Sequence, residues 1–269
     1  MNKFRLIFRH YLKRTFMHPL NLFAMLLLPV VIILLFAFVN DHNIAEEGLS
    51  QLFYGYNVTH TNLVFANIFF FQLFGMFGNM ESLHEMASGE HKWRLFASPN
   101  RPTSFVLGIL AASWIVNILQ GLIVFAVTGT ILNVYWGNLF VTTLAFLGIS
   151  LFAQVVGVLI FLITKNISQA NAIAYPLSFF IGGLSGFIIP IQAFVNHGIV
   201  DFLADWSPLT LASQAVFEGG RFGTISLIDG TYTGGDMSLA IRNILIIFAI
   251  FAVLSVVSFI LGRKVKRAW

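Results

Sequence analysis

Six long apolar runs divide the chain, and none of them contains Asp, Glu, Lys or Arg. They span approximately residues 20–39, 61–80, 105–132, 139–163, 171–189 and 243–262. Each run is near or above the ~20 residues that a helix needs to cross the hydrocarbon core of a bilayer. Strands of a membrane barrel would alternate polar and apolar positions, so runs that are apolar throughout predict helices. The pattern therefore predicts an all-α integral membrane protein with six transmembrane helices, in a single domain of residues 1–269.

The segment before the first run predicts a helix of a different kind. Its apolar positions recur at helical spacing on one face and its basic positions on another: Phe4, Ile7, Phe8, Tyr11 and Leu12, then Arg5, Arg9 and Lys13. A helix over residues 1–18 with these faces is expected to lie in the headgroup plane. It either anchors the chain to anionic lipid or also acts as a lever between a cytoplasmic partner and the spans. Pro29 is expected to kink the first span.

Composition agrees with a membrane location. Hydrophobic residues make up 58% of the chain and charged residues 10%, whereas about a quarter of the residues of a soluble domain are charged. Six spans use most of the 269 residues, so we expect no soluble catalytic domain, no enzyme activity and no bound cofactor. The absence of cysteine excludes disulfides, thiolate metal sites and cysteine nucleophiles. No lysine follows a glycine, so the chain has no G-x-x-x-x-G-K-[ST] phosphate loop.

The positions of the charges predict the topology. With the N-terminus inside, the cytoplasmic segments collect thirteen of the fifteen basic residues. Because cytoplasmic loops carry an excess of Lys and Arg, both termini are expected to be cytoplasmic. The net charge of +4 follows from this bias. We therefore expect the basic residues to contact the lipid bilayer and not nucleic acid.

Polar residues inside the spans are few and uncharged. Six of them could line a substrate path: Asn67, Gln72, Asn79, Asn117, Gln120 and Gln154. The alternative is that they hydrogen-bond neighbouring helices, at about 0.6 kcal/mol each. Two small-residue pairs at four-residue spacing predict close helix packing: Ala153 with Gly157, and Gly182 with Gly186. Ion-driven transporters usually keep charged residues in their spans, and this pattern does not favour one.

The loop between the second and third spans is the best candidate for a partner contact. Residues 81–97 mix acidic, basic and apolar side chains, as in a short amphipathic helix that inserts into a groove of a soluble protein. Glu81, Glu85 and Glu90 would pair with basic residues of that partner. The alternative is an ordinary connecting loop. Glu81 and Glu85 lie one turn apart but lack an accompanying ligand set, so we expect no metal site and no catalytic residues.

The whole chain resembles an ABC-2 type permease, the membrane subunit of a bacterial ABC exporter of the drug-export kind. Four features in this order carry the resemblance: the basic helix leading through His18-Pro19 to Pro29; Glu85, Gly89 and Glu90 with Leu95, Ser98-Pro99 and Gly108; Gly182, Gly183 and Gly186 before Phe187-Ile188-Ile189-Pro190; and Trp206-Ser207-Pro208-Leu209. The departures lie on either side of Gly89. The family often has a basic residue before this glycine, where the chain has Ala87-Ser88. It often has Thr-Leu-Glu after it, where the chain has Glu90-His91-Lys92.

The resemblance implies a mechanism. Two permease chains, identical or different, would form the path, and two copies of an ATPase subunit, which binds ATP and Mg²⁺, would dock on a coupling helix. The implied docking residues are Glu81, Glu85, Gly89, Glu90, Trp93 and Leu95. A short re-entrant helical segment is implied between the fifth and sixth spans. The expected function is export of a hydrophobic or amphiphilic drug, lipid or peptide across a bacterial inner membrane.

Other functions remain open at the level of sequence. Polysaccharide and teichoic-acid exporters of the same family usually show an Arg-Tyr pair near the first span, where this chain has Arg14-Thr15, which argues against that branch. A channel, a carrier and an immunity protein are alternatives outside the family. An intramembrane protease is not favoured, because all seven histidines lie outside the span cores.

Overall fold

The computed structural model of the protein describes residues 3–17, 23–47, 52–53, 56–87, 102–164, 166–185, 198–220 and 235–265. The helices in chain order are α1 (Lys3–Met17), α2 (Leu28–Glu47), α3 (Val58–Leu73), α4 (Gly75–Ala87), α5 (Pro102–Ile131), α6 (Leu139–Ile163), α7 (Ile167–Leu184), α8 (Gly198–Asp205), α9 (Pro208–Gly219) and α10 (Met237–Val265). A two-residue antiparallel hairpin joins β1 (Leu52–Phe53) to β2 (Tyr56–Asn57), with Leu52 opposite Asn57. The prediction of an all-α membrane protein is confirmed.

Four helical stretches of the described residues are long and apolar enough to cross a membrane. They are Leu63–Ala87, Phe105–Ile131, Leu139–Ile163 and Met237–Gly262, and they correspond to the second, third, fourth and sixth predicted spans. The first predicted span contains the shorter apolar stretch Leu28–Val39, and α7 occupies most of the fifth. Six spans therefore remain a prediction for this chain.

Local sequence explains several helix ends. Asn138 begins α6, since its side-chain oxygen accepts hydrogen bonds from the backbone N–H groups of Phe140 and Val141. Asn166 begins α7 in the same way, with Gln169 as the donor. A π-helical turn at Phe23–Leu27 precedes α2. Pro29 has no N–H for the carbonyl four residues earlier, which is a common cause of such a widened turn.

Helix α1 has the two faces that its sequence predicts. Ile7 is buried, whereas Arg5, Arg9 and Lys13 are exposed. The buried face lies against α5, where a Cβ added to Gly108 would stand 2.7 Å from Cγ2 of Ile7. Only a glycine leaves room for this contact, so α1 is packed tightly on the start of α5.

Helix α6 is the centre of the bundle. It contacts α3, α4, α5, α7, α9 and α10, and more than half of its residues are buried. Its buried side chains share one apolar core with the aromatic residues of α3, among them Phe65 and Phe69. By contrast, only 11% of the most apolar stretch of α10 is buried. Helix α10 packs against α6 and α9 and leaves most of its apolar surface exposed.

The backbone of α6 comes close to the backbone of α4. A Cβ added to Gly157 would lie 2.8 Å from the backbone oxygen of Met76 and 3.1 Å from its Cα. Ala153, one turn earlier on α6, is fully buried. The pair Ala153 and Gly157 thus lies in a helix interface within one chain, with Gly157 directly against the backbone of α4.

The connection between α5 and α6 is held by aromatic packing. The Trp136 ring stacks on Phe125 at 3.6 Å between centroids and lies 5.1 Å from Phe65. Gly137 follows with a φ of +58°, and a Cβ there would stand 2.7 Å from Cα of Gly220 at the end of α9. Left-handed backbone and a close neighbour both require glycine, which lets α9 pack against the end of the bundle.

We predict that Gly157→Ala destabilises the protein by about 1–3 kcal/mol, because the added methyl group must displace the α4 backbone. The measurement is thermal unfolding of the detergent-purified protein, followed by the loss of monodisperse material. Gly262→Ala is the matched control, since nothing lies within 4 Å of a Cβ there. Equal midpoints for the two variants would contradict the proposed close contact.

Candidate functional site

A polar cleft lies where α1, α4 and α5 meet, and it is the candidate site of this chain. Its volume is about 70 Å³. The lining residues come from the three helices: Tyr11, Arg14 and Thr15; Gly75, Gly78, Glu81, Ser82 and Glu85; and Ser113, Val116 and Asn117. Along α4 the cleft extends from Gly75, in the last third of the second predicted span, to Glu85, within the predicted docking segment.

An ion pair connects α1 to α4 across this cleft. Nη2 of Arg14 donates a hydrogen bond to Oε1 of Glu85 at 2.5 Å, and each side chain is 42% exposed. The bond to the Glu85 carboxylate raises the pKa of Arg14, because it favours the charged guanidinium; Glu81 adds a weaker attraction. At this exposure an ion pair contributes about 0.2–1 kcal/mol to the free energy of unfolding. The pair therefore fixes the position of α1 relative to α4 more than it stabilises the fold.

An apolar cluster lies next to the ion pair, at the contact between α1 and the bundle. Leu83 of α4, Ile109 of α5 and Val158 of α6 form its buried centre, and Tyr11 of α1 packs against it. Burial raises the pKa of the Tyr11 hydroxyl, since the charged phenolate would lose solvation there. The four helices thus meet at one end of the bundle, directly beside the end of α4.

The second predicted span is broken at Phe74, between α3 and α4. The backbone N–H of Phe74 bonds to the oxygen of Phe71, a three-residue step instead of the four-residue step of an α-helix. Next to the break, Nδ2 of Asn117 donates to the backbone oxygen of Gln72 at 3.2 Å, and Nε2 of Gln72 donates to that of Asn117 at 3.4 Å. These side chains therefore satisfy backbone groups around the break.

Glycine makes this arrangement possible. A Cβ on Gly75 would stand 1.8 Å from Nδ2 of Asn117, so a larger residue would push the amide away from Gln72. Gln72 is fully buried and Asn117 is 4% exposed. A break of this kind in the interior is stable only when its backbone groups are bonded.

The other predicted path residues are distributed between α3, α4, α5 and α6. Nδ2 of Asn67 donates to the oxygen of Leu63 in its own helix at 2.8 Å, and Gln120 is buried on α5. The backbone oxygen of Gln154 accepts from Nδ2 of Asn79 at 2.9 Å. Within the described part of the chain, the side-chain amide of Gln154 has no hydrogen-bond partner. The structure thus brings Gln72 and Asn117 together and leaves Asn67 apart, half-buried and bonded within α3.

The predicted docking residues fall partly within the structure. Glu81 and Glu85 lie on the last turns of α4, so the helix that carries them is continuous with the second half of the broken span and does not start at residue 81. The helix continues through residue 81 because residues 79–87 contain neither proline nor glycine. Gly89, Glu90, Trp93 and Leu95 lie outside the described residues, as does Gly186; Gly182 is buried in α7.

Sequence reasoning missed two contributors to this region. Arg14 is one of the basic residues near the N-terminus, and nothing in a sequence pairs residues 71 positions apart. The sequence also gives His84 no role; Nε2 of His84 lies 3.0 Å from Oγ1 of Thr164 at the end of α6, and its ring packs on Phe161. The mixed charges near residues 81–97 were the available signal for the location of the site.

The described residues contain no group of three or more His, Cys, Asp or Glu side chains that could hold a metal ion. The cleft instead offers an ion pair, two serines and an amide between helices, which suits positioning and movement of helices more than bond-making chemistry.

Comparison with known proteins gives one match. The family model described as ABC-2 type transporter matches residues 2–219. No curated protein and no solved structure matches the chain.

We predict that Asn117→Leu destabilises the protein by about 1 kcal/mol or more, because it removes a donor and leaves the buried Gln72 carbonyl unpaired. Thermal unfolding in detergent measures the effect. The matched control is Asn67→Leu, which loses a bond only within its own helix. If both variants unfold at the same temperature, the bonds at the break do not have the role assigned to them.

Proposed function

Because the chain belongs to the ABC-2 type transporter family, we propose that it is the permease subunit of an ATP-driven ABC exporter. The observation that carries the proposal is the family match, which covers most of the chain, from the basic helix α1 to the end of α9. Members of this family are membrane components that work with an ATPase subunit. The chain itself is a multi-pass membrane protein with four helices long enough to cross a bilayer.

The energy source in this proposal is a separate protein. The apolar runs contain no charged residue that could couple transport to an ion gradient, and the chain has no phosphate-binding loop. Two ATPase subunits would bind ATP and Mg²⁺ and act on two permease chains, identical or different. The force would then reach the spans mechanically, through the segment between α4 and α5.

We place six spans in the membrane with both termini in the cytoplasm. Besides the four described spans, we assign α2 as the first span and α7 as the fifth. The exposed basic residues of α1 support its place in the headgroup layer, where they would contact anionic lipid. The bias of basic residues supports the orientation, and the membrane would be the bacterial inner membrane.

The proposed coupling helix lies within residues 81–97. Helix α4 ends at Ala87 and α5 begins at Pro102, so two long helices lead directly into and out of this region. Both are packed against α6, and a push on the segment would be transmitted to the bundle core. Glu81, exposed beside the cleft, remains a candidate for the ATPase contact, as do Glu90, Trp93 and Leu95.

Helices α8 and α9 fit the proposed re-entrant segment between the fifth and sixth spans. Helix α9 is largely buried against α6 and α10. Helix α8 exposes Ile199 and Phe202, and Trp206 directly after it is also exposed. Large apolar side chains at this position are compatible with a location in or at the lipid.

We propose a hydrophobic or amphiphilic cargo. A row of aromatic rings runs from α3 and α4 to α7, and its neighbouring centroids are 4.5 to 6.2 Å apart; it comprises Phe70, Phe71, Phe74, Phe77, Tyr175 and Phe179. Phe179 and Tyr175 are about half exposed. Such a surface can bind apolar groups by stacking and dispersion, so this row favours an amphiphile over a polysaccharide.

The orientation can be tested with single cysteines, because the chain contains none. We expect Asp236→Cys to react with a membrane-impermeant maleimide on intact spheroplasts. Ser88→Cys is expected to react only after the membrane is opened. Labelling of both on intact cells would contradict the proposed topology.

The function can be tested by purifying the tagged chain from native membranes in mild detergent. We expect a soluble protein with ATP hydrolysis activity and a phosphate-loop motif to co-purify, because the coupling helix binds it. Trp93→Ala should reduce its amount at least about tenfold, as expected for an interface anchor. Trp206→Ala, on the proposed outer side, is the control and should retain it.

The absence of any such ATPase from the native preparation would count against the exporter. A channel, a carrier or an immunity protein would then explain the chain better. Transport by the reconstituted permease alone, driven by a proton gradient, would contradict the proposal directly.

A further inference from the structure

Helix α1 contacts both helices that flank the proposed docking segment. On one side, Arg14 bonds Glu85, which lies within the last turn of α4. On the other side, Ile7 packs against Gly108, within the first two turns of α5. The chain between these helices, residues 88–101, contains most of the region to which the ATPase contact is assigned. One helix at the edge of the bundle therefore touches the entry and the exit of the same segment.

We propose that α1 is a clamp on both ends of the docking segment, and that Arg14 is a positioning residue that holds Glu85 for this purpose. Glu85 then acts within its own chain and not as a ligand of the ATPase. This inference rests on the proposed function and assigns a role to one pair of its candidate docking residues.

The packing around the pair makes the clamp stiff. Tyr11 of α1 lies against Leu83, Ile109 and Val158, which belong to three different helices. The contact at Gly108 leaves no room for α1 to shift toward α5. The first half of α4 is held against α6 by Gly157 and by the bond from Asn79. In the last turn of α4, His84 meets Thr164 at the end of α6. The end of α4 is thus held by both α6 and α1, and α1 is the peripheral one of the two supports.

The chemistry of the pair suits a reversible contact. Both side chains are partly exposed, so water can replace the bond without leaving a buried charge. The hydrogen bond between a guanidinium and a carboxylate also fixes the relative orientation of the two side chains, which apolar contacts do not. Arg14 stands in the last turn of α1, where a positive charge interacts favourably with the helix dipole. A displacement of the docking segment would therefore reach α1 through the pair, with the apolar cluster as a pivot.

The charge swap tests this inference. Four proteins are compared with the native chain: Arg14→Glu, Glu85→Arg, the double variant with both changes, and Lys13→Glu as a matched change of charge on an exposed neighbour. The readouts are the amount of ATPase that co-purifies and the rate of ATP hydrolysis by the purified complex in vesicles of phosphatidylethanolamine and phosphatidylglycerol. We expect each single variant to keep the ATPase but to lower hydrolysis about two- to fivefold, the range of an exposed pair. The double variant should regain native hydrolysis, and Lys13→Glu should leave it unchanged.

A second readout does not depend on the ATPase. A spin label on Ser88→Cys reports the motion of the chain just beyond α4, and the label is specific because no other cysteine is present. We expect either single charge variant to increase the mobility of this label, and the double variant to restore it. Unchanged mobility in both single variants would overturn the clamp, whatever the ATPase results.

The other outcomes separate the possible errors. If Glu85→Arg loses the ATPase and the double variant does not recover it, Glu85 binds the ATPase directly and the inference is wrong. If stability, co-purification and hydrolysis all fall together in the single variants, the pair is merely structural and the inference is again wrong. If no ATPase accompanies the native chain while the spin label responds as expected, the clamp stands and the exporter function fails.

Discussion

The contact between α4 and α6 is the constraint on which the rest of the structure depends. In a bilayer, lipid tails are as apolar as leucine, so helices associate through close packing and hydrogen bonds more than through the hydrophobic effect. Gly157 brings the two backbones together, and the bond from Asn79 to the oxygen of Gln154 fixes their register. Helix α6 then offers its remaining faces to α3, α5, α7, α9 and α10. Displacing α4 would separate the proposed docking segment from the core that would receive its motion.

The break at Phe74 divides the second predicted span into halves with different environments. Helix α3 contributes large aromatic side chains to the apolar core, whereas α4 carries a polar face toward the cleft and α1. Gln72 and Asn117 bond each other's backbone oxygens beside the break. This explains why polar residues lie at that depth: they satisfy a distortion in the helix. This packing role does not exclude the predicted role in a substrate path, because the side-chain oxygen of Gln72 has no partner among the described residues.

The candidate site shows how far sequence reasoning reaches. The acidic residues at 81 and 85 predict pairing with basic residues of a partner protein, whereas the structure pairs Glu85 with Arg14 of the same chain. The type of interaction could be inferred from composition and spacing. Its partner could not, because two helices separated by the whole first predicted span come together only through tertiary packing. The same holds for His84 and Thr164, which are 80 positions apart.

The sequence alone determined the all-helical membrane class, the helix α1 with its two faces and the approximate bounds of the described spans. These follow from length, periodicity and the absence of charge, which act locally along the chain. The tertiary structure decided the rest: which helix is central, where the second span breaks, which glycines allow close contact and which charge Arg14 meets. Those properties depend on distances between segments remote in sequence, and a pattern of residue types contains no information about such distances until the helices are packed.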